Sequence, residues 1–156
     1  MSSRRADLLA DLDRVLRESG GQTVLFSQTV AARLGIHPSD LETLDILARR
    51  GPTTAGRLAE LTGLSTGAIT ALIDRLEAKG FAHRVRDTAD RRKVYVALDA
   101  ERAERDIRPL YQRLAEGQAE VNSHYTDEEL ARIRDFLAES HALLVRETER
   151  LRGRQA

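Results

Sequence analysis

The chain has 156 residues, of which 41% are hydrophobic and 32% charged, and its 25 basic and 25 acidic side chains cancel, so overall charge gives no support to nucleic-acid binding. It contains no cysteine, which excludes disulfides, thiolate metal sites and thiol-based peroxide sensing. No apolar run approaches the roughly 18 residues that span a bilayer, and the N-terminal MSSRRADLL lacks a signal-peptide core, so a cytoplasmic, single-domain protein with room for a proper core is expected.

Leu8, Leu9, Leu12, Val15 and Leu16 recur at helical spacing and predict an amphipathic helix over residues 4–18. Gly20 and Gly21 break or kink it, and Phe26, Val30 and Leu34 continue an apolar series to Gly35. The two segments are either consecutive helices or one bent helix. Pro38 opens the next helix, with Leu41, Leu44, Leu47 and Ala48 inward and Gly51-Pro52 closing it.

Thr54 is placed to cap a short helix with the apolar stripe Leu58, Ala59 and Leu61, and Gly63 supplies the positive φ that ends it. Ser65 is the N-cap of a second helix carrying Ala68, Ile69, Leu72, Ile73 and Leu76, which stops at Gly80. Two β-like runs follow, 81–86 and 93–98, with Val94, Val96 and Leu98 alternating. Helix, turn, helix and hairpin predict a winged helix-turn-helix, whose second helix enters the DNA major groove.

Asp99 caps a long helix from about Ala100 to Ser123, with the stripe Ala103, Ile107, Leu110, Leu114 and Val121. Pro109 lies inside that stripe and should kink or divide it. Thr126 and Glu129 form a capping box, so a final helix starts near Asp127 and carries Leu130, Ile133, Phe136, Leu137, Leu144, Val145 and Leu151. That stripe is too long to be buried by so small a lobe. With the N-terminal helix it reads as a dimerisation layer, the alternative being an antiparallel helix pair within one subunit. The expected fold is mainly α with a small β-hairpin wing: N-terminal dimerisation helices (1–35), a winged-helix lobe (36–98) and C-terminal dimerisation helices (99–156).

Charge is unevenly distributed. From Lys79 to Lys93 there are six basic residues (Lys79, Arg84, Arg86, Arg91, Arg92, Lys93) against Asp87 and Asp90, a local surplus of four. The stretch Asp87-Thr88-Ala89-Asp90-Arg91-Arg92-Lys93-Val94-Tyr95-Val96-Ala97-Leu98 resembles the D-x-x-D-R-R-x-x-x-V-x-L wing signature of the MarR family, the multiple antibiotic resistance regulators. Leu64-Ser65 and Ile73 to Gly80 resemble that family's recognition helix and its end, and the order of elements matches over the whole chain. The resemblance implies a sequence-specific, double-stranded DNA-binding transcriptional regulator. It would be a homodimer on a palindromic operator, a repressor released by a small-molecule effector.

Each part has its own physical basis. Ser65, Thr66 and the free N–H groups of the recognition helix (65–79) make a partly positive end suited to phosphate. Gly67 allows close approach of backbone to DNA, or is simply tolerated. Thr70 offers a hydroxyl and a methyl to base edges. Ala68, Ile69 and Leu72 are expected to pack, with Ala68 alternatively facing a thymine methyl, and Arg75 reaches a phosphate or pairs with a nearby acid. In the wing (87–93), Arg91 and Arg92 are placed to enter an A·T-rich minor groove. By the family pattern Arg92 inserts and Asp90 holds it. Arg84, Arg86 and Lys93 are placed to neutralise phosphates, with Arg86 alternatively paired to Asp74 or Asp90.

Where many members of the family carry a basic residue after the threonine, this chain has Ala71. Base reading then leans on Thr66, Thr70 and DNA shape, so discrimination is expected to be modest and affinity wing-dominated and salt-sensitive. The resemblance also implies an effector cleft lined by the first helical segments, the Pro38 helix and the Ala100 helix, with Phe26, His37 and Tyr111 as candidates, each alternatively a core or interface residue. Two other readings fit the residues less well. A metal-responsive regulator is poorly served by four scattered histidines with no pair at helical spacing. A winged helix that docks a protein would be expected to expose aromatics or leucines where this chain has Ser65, Thr66 and Thr70. No cofactor and no catalytic motif are identified: there is no phosphate loop, H-E-x-x-H or nucleophile elbow.

Overall fold

A computed structural model describes residues 3–87, 90 and 92–153. Its elements run α1 (Ser3–Leu34), α2 (Pro38–Arg50), β1 (Thr53–Thr54), α3 (Ala55–Thr62), α4 (Thr66–Ala78), β2 (Ala82–Arg86), β3 (Val94–Leu98), α5 (Ala100–Arg102), a π-helical segment (Ala103–Ile107), α6 (Arg108–Asn122) and α7 (Asp127–Arg152). The chain divides into two compact units, Met1–Leu110 and Tyr111–Ala156.

The first unit holds the core. Leu44 and Leu47 of α2, Leu58 of α3, and Ile69, Leu72, Ile73 and Leu76 of α4 meet Phe81 and Val96 of the hairpin, each at most 2% exposed. Burial of each such side chain contributes about 1.5–3 kcal/mol before entropy is counted. Local chemistry sets the boundaries. Thr54 Oγ1 accepts the N–H of Arg57, Ser65 Oγ accepts that of Ala68, and Gly63 closes α3 at φ 73°, a left-handed conformation that a side chain would resist.

Several expectations are corrected here. Of the two readings left open for the N-terminal segment, a single helix is the one found, because α1 runs through Gly20 and Gly21 for 32 residues, about 48 Å at 1.5 Å per residue. Ala48 faces solvent, and the buried positions of α2 are instead Asp40, Leu41, Thr43, Leu44, Ile46 and Leu47. Ala68 is exposed rather than packed. The hairpin is part of a three-stranded antiparallel sheet ordered β1-β3-β2, in which Thr53 pairs with Val96 and Arg84 also faces Val96 from the other side. A two-residue strand is too short to show any periodicity in sequence.

Pro109 divides its helix in an unforeseen way. The turn before it widens into the π-helical segment, which accommodates the bond Pro109 cannot donate and the crowding of its ring. Arg102, just before that segment, lies over the Phe81 ring at 4.9 Å from its centroid.

The second unit comprises the rest of α6 together with α7. Thr126 and Glu129 form the anticipated reciprocal capping box. No described residue of α6 or α7 is buried, and Leu114, Phe136, Leu137, Leu144 and Val145 are all exposed. In the first unit the N-terminal part of α1 is similar, with Leu8, Leu9, Leu12 and Val15 exposed.

Candidate nucleic-acid interface

The inward face of α4 is entirely apolar, which forces its other face outward. Ser65, Thr66, Gly67, Ala68, Thr70 and Ala71 are all exposed, so the helix presents a small, polar first two turns with free N–H groups at its start. A Cβ built on Gly67 would meet nothing within 4 Å, so nothing within the chain itself requires glycine there. Thr70 Oγ1 donates to the carbonyl of Thr66 at 2.9 Å, which leaves its lone pairs and methyl facing out. Its free capacity is that of an acceptor.

The wing tip is organised by Asp90. Asp90 Oδ1 accepts from the backbone N–H and the Nε of Arg92, at 3.1 and 3.2 Å, and its own N–H donates to Asp87. Lys93 N–H donates to the Asp90 carbonyl and Asp87 N–H to that of Lys93, closing the turn. The Arg92 side chain is 92% exposed, so it projects from a fixed base into solvent. Arg91 lies outside the described residues. Lys93 and Arg86 are exposed, and among the described residues Arg86 forms no ion pair, so the alternative pairing with Asp74 or Asp90 is absent.

Two cations in the expected set are committed elsewhere. Arg75 pairs with buried Asp40 of α2, Nη2 to Oδ1 at 2.6 Å and Nε to Oδ2 at 3.4 Å. Arg84 in β2 bonds both Glu77 and Asp74 of α4, the latter at 2.7 Å, while its backbone N–H donates to Glu77 at 2.8 Å. The hydrogen bond with Asp40 holds the Arg75 guanidinium above its ordinary pKa against the pull of burial, and that with Asp74 does the same for Arg84. For Arg75 the pairing with an acid is the reading realised, the acid being Asp40 on another helix, whereas the Arg84 tether differs from the expected phosphate role. Asp40 could have been suspected from a carboxylate standing in the apolar stripe of α2.

The candidate effector residues belong to three different elements. His37 is the N-cap of α2: its Nδ1 accepts from Ser39 N–H while Asp40 accepts from His37 N–H, a capping box built on an unusual residue. It borders a groove of about 510 Å³ with Ser39, Leu64, Ala71, Arg75 and Lys79. Phe26 is half-buried in α1 and is not among the residues lining that groove, and Tyr111 is half-buried in α6. Among the described residues no three His, Asp or Glu side chains are grouped to hold a metal ion, and no helix is long and apolar enough to cross a membrane.

A helix presenting a polar face, steered by a turn from its partner helix and flanked by an arginine-tipped hairpin, defines a winged helix-turn-helix protein. The sequence profile of the MarR family matches residues 36–94. The uncharacterized HTH-type transcriptional regulator YcgE of Bacillus subtilis (strain 168) is 41% identical over 97% of this chain and 99% of its own length. The chain therefore belongs to the MarR family, and at that level it is a DNA-binding regulator. The fold resembles a MarR family protein from Bacillus stearothermophilus, with TM-score 0.68 and 26% identity, over 93% of this chain and 99% of that one. It also resembles Streptococcus pneumoniae FabT, solved in complex with DNA, with TM-score 0.64 and 21% identity over 87% of this chain and 96% of that one.

Proposed function

We propose that the protein is a cytoplasmic homodimer that binds a palindromic operator, represses transcription there and is released by a small molecule. The observation that carries this reading is the pairing of α4's polar, exposed first two turns with Arg92, which Asp90 holds at its backbone N–H and its Nε while the side chain stays 92% exposed. The helix N-terminus suits a phosphate and Thr66 and Thr70 suit base edges, while Arg92 suits a narrow minor groove. Lys93 and Arg86 supply phosphate neutralisation. The exposed leucines of α1 and α7 favour a second copy, because water-facing stripes of that length do not otherwise persist in a soluble helical protein.

The groove at His37 supports release by a ligand, since it touches both the cap of α2 and the side of α4. A molecule seated there acts only if it prefers one placement of α4 over another. Filter binding of random-sequence duplex DNA over a salt series tests the core of the reading. Affinity should fall steeply and log-linearly with salt as counterions are released, and a flat response would favour a protein-docking winged helix instead.

A further inference from the structure

We propose that Arg84 is a positioning residue that locks the wing to the recognition helix, so that the two DNA-facing elements bind as one rigid piece; this rests on the DNA-binding reading above. Asp74 and Glu77 are three residues apart on α4 and so share a face. Arg84 answers both with its two terminal nitrogens and adds its backbone N–H to Glu77. One residue at the middle of β2 thus makes three bonds to the last turns of α4. With two carboxylates around one guanidinium the cluster carries a net negative charge, so Arg84 is poorly suited to neutralise a phosphate.

Leverage gives the tether its consequence. Arg84 faces Val96, and Arg92 lies four residues beyond Val96 toward the tip, about 13 Å at 3.3 Å per residue. A tilt of about 10° at Arg84 then carries the tip roughly 2 Å, enough to break a hydrogen bond. The Arg84 side chain is 37% exposed, so the pair adds little to fold stability. Alignment is what it supplies.

The test is Glu77→Met, Arg84→Met and Arg92→Ala, singly and with the last two combined, on a duplex that the wild-type protein selects from a random-sequence pool. Simple electrostatics predicts that Glu77→Met tightens binding, because it removes an acid and frees a cation. Positioning predicts the reverse, a loss of roughly tenfold with the melting temperature nearly unchanged. Positioning also predicts that Arg84→Met costs much less once Arg92 is already alanine. Tighter or unchanged binding by Glu77→Met, or additive effects of Arg84→Met and Arg92→Ala, would overturn the proposal while leaving DNA binding intact. Failure of the wild type to select any duplex would instead overturn the DNA-binding reading, and the tether's role with it.

Discussion

Arg75 and Asp40, thirty-five residues apart, face each other fork to fork, and the carboxylate oxygen that meets Arg75 Nε also accepts the N–H of His37 at 3.2 Å. One carboxylate therefore caps α2 and anchors α4. Asp40 is 1% exposed whereas the Arg75 side chain is 47% exposed, so the two partners are not equivalent. Arg75→Met strands a buried carboxylate and should cost about 2–4 kcal/mol. Asp40→Asn leaves its cation in water and keeps a side chain able to cap, and should cost about 1–2 kcal/mol. Urea unfolding of both variants measures the asymmetry, and equal costs would contradict it.

Arg92→Ala removes a side chain that touches the fold only at Asp90. Thermal stability should not change, while affinity for a selected duplex should fall at least tenfold, the order expected for one lost charged contact. An unchanged gel shift would remove the wing from the interface.

Gly67→Ala separates the needs of the fold from those of DNA. The added methyl meets nothing within 4 Å, so the variant should be more stable by about 0.4–1 kcal/mol. If the backbone there approaches DNA closely, the same methyl should weaken binding. A variant that melts higher and binds equally well would show that the glycine is merely tolerated.

Ala71→Arg places a guanidinium on the outward face of α4, where the chain has no cation before Arg75. A bidentate contact to guanine is worth about 1–3 kcal/mol of discrimination. Duplexes selected by the variant should gain a fixed guanine in each half-site, and identical selected sequences would mean that position 71 does not face bases.

Leu144→Glu tests the second unit. Leu144 is 67% exposed, so the substitution should alter the stability of an isolated chain by less than about 0.5 kcal/mol. Sedimentation should nevertheless shift from dimer toward monomer, and DNA affinity should fall with it. A variant that sediments as the wild type does would place the dimer contact elsewhere.

What could be read from sequence was local. Thr54, Ser65 and Thr126 cap their helices through residues three positions on, and Gly63 adopts its positive φ within its own turn. Such rules operate inside a few residues, so they survive without knowledge of the fold. The tethers do not. Arg75 with Asp40, and Arg84 with Asp74 and Glu77, depend on which helix packs where, and no spacing announces them. Charge alone therefore groups Arg84 with phosphate ligands. The π-helical segment was invisible for a related reason: Pro109 declares a disturbance, but the neighbouring turn decides whether it becomes a bend or a widening.

The pair Gly20 and Gly21, continuous with the rest of α1 and with open space where a side chain would stand, has a thermodynamic meaning. Each glycine weakens an exposed helix by about 0.8–1 kcal/mol relative to alanine. The segment before them carries exposed leucines and has little else to hold it, so its helicity depends on whatever covers that face. If the cover is a second copy, residues 3–19 melt on dilution while the winged-helix lobe stays folded. Helical content then becomes a function of protein concentration, and the same titration reads out assembly and the folding of α1 together.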